Sequence, residues 1–383
     1  MLARLLTAVN ACVSVPRLAA SSHVFVHLCN GTTFAVTAPE LDPLAVIRGR
    51  VNGTAVAELV FEREISQPVW TARLAVPAGA YTAFVELQYE RLDPENIWGS
   101  TPVNVPLVRD FAFHHPGGVP DSAACTSFFE GYWVVNELPA PRHTEAVFVP
   151  RGCPLRKELD PLPGACFFGD SHMRHLHDEW AGVLESEPLE RGTVRAVAHS
   201  AVSAYVDDPY GECFAGNMPF GTTGRFASRV HTLLHWRSRC QPARSCSVVL
   251  LGFGQWFVSH AIGDHAARAP HVSASAYAAR VVEALRSANQ SYPHVVWLTS
   301  HPLGERWPSM YTRPPTEWRT DGVLRAYNRA AALAAADAGF EVYDLFGMSN
   351  AVHDLTYDGS HYKAPVEREI ARMVAAAVRP YLS

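Results

Sequence analysis

The sequence predicts an α/β domain preceded by a small all-β domain, and three observations lead there. From Gly164 onward, short apolar runs alternate with helix-length stretches, the order expected of a parallel sheet covered on both faces. Ahead of that region, about His23 to Tyr89, short alternating or β-branched runs are punctuated by turn signals, as in a small β-sandwich. Where the α/β pattern begins, Ala165–Phe168 runs into Gly169-Asp170-Ser171 and then a helix-compatible stretch from His172 to Leu184. That order reads as buried strand, tight turn, helix.

Taken from the amino terminus, residues 1–22 read either as a signal peptide or as an ordinary extension. Arg4 precedes a modestly apolar stretch, Leu5 to Val15, and Ala19-Ala20-Ser21 resembles a small-residue cleavage site. Residues 23–110 form the expected β-sandwich domain. Its runs are Val24–Leu28, Thr32–Val36, Ala45–Val51, Ala55–Phe61, Thr71–Val76 and Tyr81–Tyr89, separated by Asn30-Gly31, Asn52-Gly53 and Pro77-Ala78-Gly79. Residues 111–163 are rich in Pro, Gly and bulky aromatics without a sustained period, so they read as an ordered connector rather than a flexible linker. Residues 164–383 form the expected catalytic domain. Its strands are expected at Ala165–Phe168, Thr193–Ala198, Ser247–Phe253, His294–Thr299 and Phe340–Leu345. Its helices are expected at His172–Leu184, Gly224–Trp236, Ala274–Ala288, Asp321–Ala338 and Val366–Val378.

With 383 residues and 48% hydrophobic content the chain can bury a sizeable core. A formal charge of −5 with scattered arginines leaves no nucleic-acid footprint. No run of about 18 apolar residues is present, so no membrane-spanning helix is expected. The sequons Asn30-Gly31-Thr32, Asn52-Gly53-Thr54 and Asn289-Gln290-Ser291 favour the secretory pathway, in the Golgi lumen or outside the cell, and mark a glycoprotein. Eight cysteines lack any Cys-x-x-Cys pair or zinc spacing. Cys125 with Cys153, and Cys213 with Cys240 or Cys246, are sensible disulfides. Cys166 reads as a buried free thiol, and Cys12 would leave with a signal peptide.

The chemistry is expected at Ser171. The turn puts its hydroxyl at the carboxyl edge of a sheet, where ligands of open α/β sheets bind, and at a helix start, whose N–H groups favour developing negative charge. Serine needs a base, and Asp358-Gly359-Ser360-His361 offers an imidazole with a carboxylate a turn away. Ser171 is therefore assigned as nucleophile, His361 as general base then acid, and Asp358 as the group that orients it. His353 and Asp354 stand second for those two roles. For the oxyanion and substrate, Arg174 shares a helix face with the serine, Gly254 permits close backbone approach, Gln255 carries an amide donor, and Trp256 can wall an acyl or sugar pocket. His172, His175 and His177 cluster on one helix, but no acidic or cysteine partner stands at a metal-binding spacing, so neither metal nor cofactor is expected.

These motifs resemble the SGNH (GDSL-like) hydrolase superfamily, and more narrowly its PC-esterase branch with the trichome-birefringence-like polysaccharide O-acetyltransferases. The resemblance rests on Gly169-Asp170-Ser171 with Arg174, on Asp358 with His361, on Gly254-Gln255-Trp256, and on the order Cys125, Gly131-Tyr132-Trp133, Cys153, and covers about Cys125 to the end. It implies a flavodoxin-like three-layer α/β/α domain and metal-free acyl chemistry through an acyl-serine. It also implies O-acetyl groups on a glycan or polysaccharide as substrate, with the acyl donor left open. The β-sandwich is similar to Ig-like modules found in some relatives. Two departures stand out: Gln255 occupies the place of an expected asparagine, and the second oxyanion glycine is unplaced among Gly211, Gly216 and Gly221. Sequence leaves transferase and esterase open, with a slight lean to transfer. A non-catalytic glycan-binding or cell-surface protein that keeps the fold is the alternative.

Overall fold

A computed structural model describes residues 12–15, 24–64, 67–95, 97, 100, 102–117, 125, 127–138, 143–153, 164–185, 203–208, 212–215, 246–258, 272–303, 319–357 and 359–382. The chain divides into two units. One comprises Met1–Asp93, Gly99–Pro154 and Asn350–Val352, and the other Pro94–Trp98, Leu155–Ser349 and His353–Ser383.

The first unit is antiparallel β-structure. Its strands are β1 (Cys12–Ser14), β2 (Phe25–Cys29), β3 (Thr33–Thr37), β4 (Val46–Gly53), β5 (Ala57–Val60), β6 (Glu62–Arg63), β7 (Val69–Arg73), β8 (Gly79–Tyr89), β9 (Pro102–His115), β10 (Gly131–Leu138) and β11 (His143–Pro150). They form a five-stranded sheet in the order β1-β2-β3-β7-β6, a four-stranded sheet in the order β5-β4-β8-β9, and the hairpin β10-β11. Inward residues alternate along β3 and β4, as the period of two requires. Phe34, Val36 and Trp70 from the first sheet share one apolar cluster with Ile47, Val51, Leu59 and Val85 from the second. Each such side chain contributes roughly 1.5–3 kcal/mol by leaving water.

This unit extends beyond the expected boundary at residue 110. Strand β9 runs on to His115, and the β10-β11 hairpin lies inside the segment read as a connector. The hairpin is built into the β-structure: the Trp133 N–H donates to the Val56 carbonyl (2.9 Å) and the Val56 N–H to the Trp133 carbonyl (2.7 Å). Trp133 is fully buried, with its ring 5.2 Å from that of Phe148. Strand β9 escapes a pattern reading because Pro102 and Pro106 interrupt its alternation. Its position at the end of the sheet tolerates them.

The second unit holds five parallel strands: β12 (Ala165–Gly169), β13 (Ser203–Asp207), β14 (Val248–Gly252), β15 (Val295–Leu298) and β16 (Glu341–Tyr343). Their order is β13-β12-β14-β15-β16, the doubly wound order 2-1-3-4-5 within the unit. Strands β12, β14 and β15 are buried at every residue, as sheets covered on both faces demand. The helices are α1 (Ser171–Glu185), α2 (Glu212–Ala215), α3 (Ala274–Asn289), α4 (Asp321–Asp337), α5 (Leu345–Asn350) and α6 (Ala364–Val378). The right-handed rule for parallel crossovers places α1 on one face, because the strand order steps outward from β12 to β13, and α3 and α4 on the other, because it then steps the opposite way from β14 to β16. The packing agrees, with α1 against α6 and α3 against α4. Ser273 and Thr320 cap α3 and α4 by accepting from the N–H groups of Ala276 and Val323.

The second strand expected at Thr193–Ala198 and the helix expected at Gly224–Trp236 lie outside the described residues. Strand β13, at Ser203–Asp207, supplies the edge of the sheet instead. The other four strands and four helices fall within a few residues of their expected positions.

Cys166 is not the expected free thiol: it is bonded to Cys246. Cys166 lies on β12 and Cys246 just before the adjacent strand β14, with their Cα atoms 5.7 Å apart, within disulfide reach. Cys125 pairs with Cys153 as expected, and Cys12 with Cys29 across β1 and β2. Cys213 is also disulfide-bonded. Cys246 is taken, and Cys240, the other partner considered for it, lies outside the described residues. No helix among the described residues is long and apolar enough to cross a membrane.

Candidate functional site

The site begins where β12 ends, at the point where the strand order reverses. There the chain leaves β12 toward β13 on one side, and β14 flanks it on the other, which opens the crevice in which ligands of such sheets bind. The turn is tight because Gly169 abuts Gly252 at the end of β14. A Cβ on Gly169 would overlap the Gly252 carbonyl oxygen. Asp170 then caps α1. Its buried carboxylate accepts from the His172 N–H at 3.0 Å, which satisfies one of the free donors of the first turn. Ser171 is the first residue of the helix.

The partner for Ser171 arrives 190 residues later on a clasped loop. Thr356 and Tyr362 form an isolated β-bridge, the Tyr357 N–H donates to the His361 carbonyl (3.0 Å), and Lys363 N–H to the Leu355 carbonyl (2.9 Å). Gly359 takes a positive φ of 88° at the tip, a conformation other residues rarely adopt. The loop places His361 Nε2 2.8 Å from Ser171 Oγ, within the reach of a general base. Asp358 lies outside the described residues. His353, the second choice for the base, is buried, and the hydrogen bond to Ser171 belongs to His361.

Three more histidines surround this pair, and their proximity to it was not legible in the sequence. His172, buried on α1, lies with its ring 5.0 Å from that of His361 and 5.2 Å from that of His301. Its Nε2 is 3.1 Å from Ser360 Oγ, the hydroxyl next to the base. His175, one turn on, comes to 4.5 Å from the His361 ring. His301, beyond β15, places Nδ1 3.0 Å from Ser349 Oγ. The Ser349 hydroxyl donates to the Leu345 carbonyl (2.6 Å), so its oxygen accepts and His301 carries its proton on Nδ1. Burial first, then the charge of His361, pushes His301 down to about 3. Burial followed by the charges of His361, His301, His175 and Arg319 holds His172 well below the ordinary imidazole range. Both rings are therefore neutral near pH 7 and place no positive charge beside the base. No sequence signal marks His301, whereas His172 and His175 lie in the helical triplet already singled out. Among the described residues no group of three or more His, Cys, Asp or Glu is arranged to hold a metal ion.

The remaining expected residues divide. Gly254 follows β14 in a close-packed turn, where a Cβ would collide with Ser300 Oγ and the Tyr277 hydroxyl. Gln255 is buried, and its amide nitrogen donates to the His301 carbonyl (2.6 Å). That amide ties the end of β14 to the segment after β15. Trp256 is half-buried, with the Arg319 guanidinium 5.8 Å from its ring centre. Arg174 is exposed in the first turn of α1. Gly211, Gly216 and Gly221, the candidates for the second oxyanion glycine, lie outside the described residues.

No family model and no curated protein matches the chain. Solved structures similar to it include an alpha/beta hydrolase enzyme from the metagenome of Lake Arreo, Spain, at 13% identity over 59% of this chain and 98% of that one, with a TM-score of 0.33. An acetylxylan esterase from Geobacillus stearothermophilus shows 12% identity over 59% and 96%, with a TM-score of 0.33. The native aryl esterase of M. smegmatis shows 17% identity over 57% and 100%, with a TM-score of 0.31. Likenesses this distant decide neither fold nor activity.

Proposed function

We propose that the protein is a serine-dependent acyl-ester enzyme that transfers or removes O-acetyl groups on a glycan through an acyl-serine. The observation that carries this reading is the 2.8 Å contact between His361 Nε2 and Ser171 Oγ at the carboxyl edge of the sheet. His361 takes the Ser171 proton as Oγ attacks the ester carbonyl carbon. The carbon–oxygen bond to the alcohol breaks, and the same proton passes from Nε2 to the departing oxygen, leaving the acyl group on Oγ. A sugar hydroxyl or water then gives its proton to His361, attacks the acyl-serine, and Oγ recovers its proton. In this reading the N–H groups of Ser171 and Gly254, with Arg174 nearby, receive the oxyanion. Asp358, three residues before the base, orients the imidazole, and Trp256 walls the pocket.

The glycan and the acetyl group come from the SGNH resemblance, which favours the PC-esterase branch and, slightly, transfer. The disulfides support an oxidising compartment, the secretory lumen or outside the cell. The sequon residues Asn30, Asn52 and Asn289 are exposed, as glycan attachment requires.

A fluorophosphonate probe tests the site directly. The expected outcome is one labelled serine per chain, with labelling abolished in Ser171→Ala while the circular dichroism spectrum is unchanged. A folded wild-type protein that takes up no label contradicts the reading.

A further inference from the structure

Among the described residues of the α/β unit, only Leu333 and Tyr357 are large apolar side chains left exposed, and Tyr357, 57% exposed, stands beside the base. Its ring lies 5.8 Å from the His361 imidazole, nearly parallel to it at 21°. It is held at both ends. Its N–H donates to the His361 carbonyl (3.0 Å), and its phenol oxygen lies 3.4 Å from His175 Nε2. An aromatic face kept in water beside a reactive pair, and tied so that little rotamer freedom remains to lose, is a preorganised contact surface.

We propose that Tyr357 seats the alcohol half of the ester, and that this half is a ring alcohol of the pyranose type. The proposal rests on the acyl-serine reading. In that chemistry His361 must hand its proton to the alcohol oxygen when the ester breaks, and must take one from the acceptor oxygen when it re-forms. Either oxygen comes within hydrogen-bond reach of His361 Nε2, and the ring that carries it is large enough to reach the exposed face of Tyr357, whose centre lies 5.8 Å from that imidazole. The acyl carbonyl oxygen answers to a different need, the N–H donors of the oxyanion site. Tyr357 therefore meets the alcohol, not the acyl group. The chemistry of the surface fits a sugar: a flat aromatic face for the C–H side of a pyranose, edged by a phenol oxygen and the half-buried His175 imidazole for its hydroxyls. The same seat serves a departing sugar and an accepting one.

Two esters of the same acyl group separate this role from a merely structural one: an O-acetylated methyl glucopyranoside, whose alcohol is a ring, and ethyl acetate, whose alcohol is too small to reach Tyr357. We expect Tyr357→Ala to lower kcat/KM on the pyranoside about tenfold more than on ethyl acetate, chiefly through KM. Tyr357→Phe keeps the aromatic face and should stay within about threefold of wild type on the pyranoside. Equal losses on both esters would mean that Tyr357 only steadies His361, and no loss on either would mean that it touches nothing; both overturn the proposal. Fluorophosphonate labelling of the same preparations tells the two ideas apart. An unlabelled wild type removes the acyl-serine reading and this proposal with it. Full labelling of Ser171 in the alanine variant, with pyranoside selectivity unchanged, removes the Tyr357 assignment alone.

Discussion

His361 differs from the imidazoles around it in what its Nε2 faces. His172 turns its Nε2 to Ser360, and His301 is bound through Nδ1 to Ser349, whereas His361 Nε2 meets the Ser171 hydroxyl. To accept that proton the His361 ring must hold its own proton on Nδ1, which is the position a carboxylate such as Asp358 would stabilise. Replacing His361 with alanine is accordingly expected to lower turnover of an acetyl ester by about 10³–10⁴-fold. The melting temperature should barely move, since His361 is not among the buried residues. Steady-state kinetics beside a thermal melt checks both halves, and near-normal turnover would place the base elsewhere. Asp358→Asn should lower the rate by a similar factor or less, by leaving the wrong nitrogen protonated.

The strand–turn–helix element around Ser171 depends on a glycine more than on the residues that react. Gly169 is hydrogen-bonded into the sheet beside Gly252, and its carbonyl accepts from the Tyr205 hydroxyl (3.2 Å) and the Asp208 N–H (2.8 Å). A methyl group at Gly169 would meet the Gly252 carbonyl oxygen and the Met173 side chain, and would force β12 and β14 apart. Gly169→Ala is expected to destabilise the protein by about 2 kcal/mol or more, read as a lower urea midpoint. It should also weaken labelling of Ser171, because the residue displaced is the one that aims the serine. Asp170, Ser171 and the clasped loop stood out in the sequence because turn residues and a short Asp-x-x-His spacing are local. The commitment of Gln255 to the His301 carbonyl was not visible there, because those residues lie 46 positions apart and meet only once β14 and β15 pair.

At the scale of the whole molecule, buried titrating groups shape stability against pH from both sides. Glu367, on α6 and facing α1, is buried, and Oε1 has no hydrogen-bond partner among the described residues. Burial first, then the charges of Glu179 and Asp178 on α1, pushes it up to about 8. It is thus protonated in the fold at pH 7, while the unfolded chain ionises it above about 4.5. The unfolded state binds fewer protons in that window, so stability from this residue falls as pH rises from 4.5 to about 8. His301 works in the opposite sense. The unfolded chain protonates it below 6.5, the fold resists until about 3, and stability falls as pH drops through that range, with His172 adding to the loss. Each group contributes a slope of up to about 1.4 kcal/mol per pH unit. Glu367→Gln should therefore raise the melting temperature more at pH 8 than at pH 5, and thermal melts at the two values decide it. An equal gain at both would mean that Glu367 is ionised throughout.

The sequence by itself determined four of the five parallel strands and four helices of the α/β unit, and the place of Ser171 at the end of the first parallel strand. These follow from residue type and short spacing: apolar runs of strand length, turn residues, and side chains a few positions apart. It also carried the alternation of the β-unit as far as Tyr89. Only the tertiary structure decided that Cys166 is bonded to Cys246, that β9 and the β10-β11 hairpin belong to the β-unit, and that His172, His175 and His301 surround the base. Each of these depends on which strands become neighbours and on what their packing leaves in water. Pairing across tens to hundreds of residues is a property of the folded chain as a whole and is not written in any single window of it.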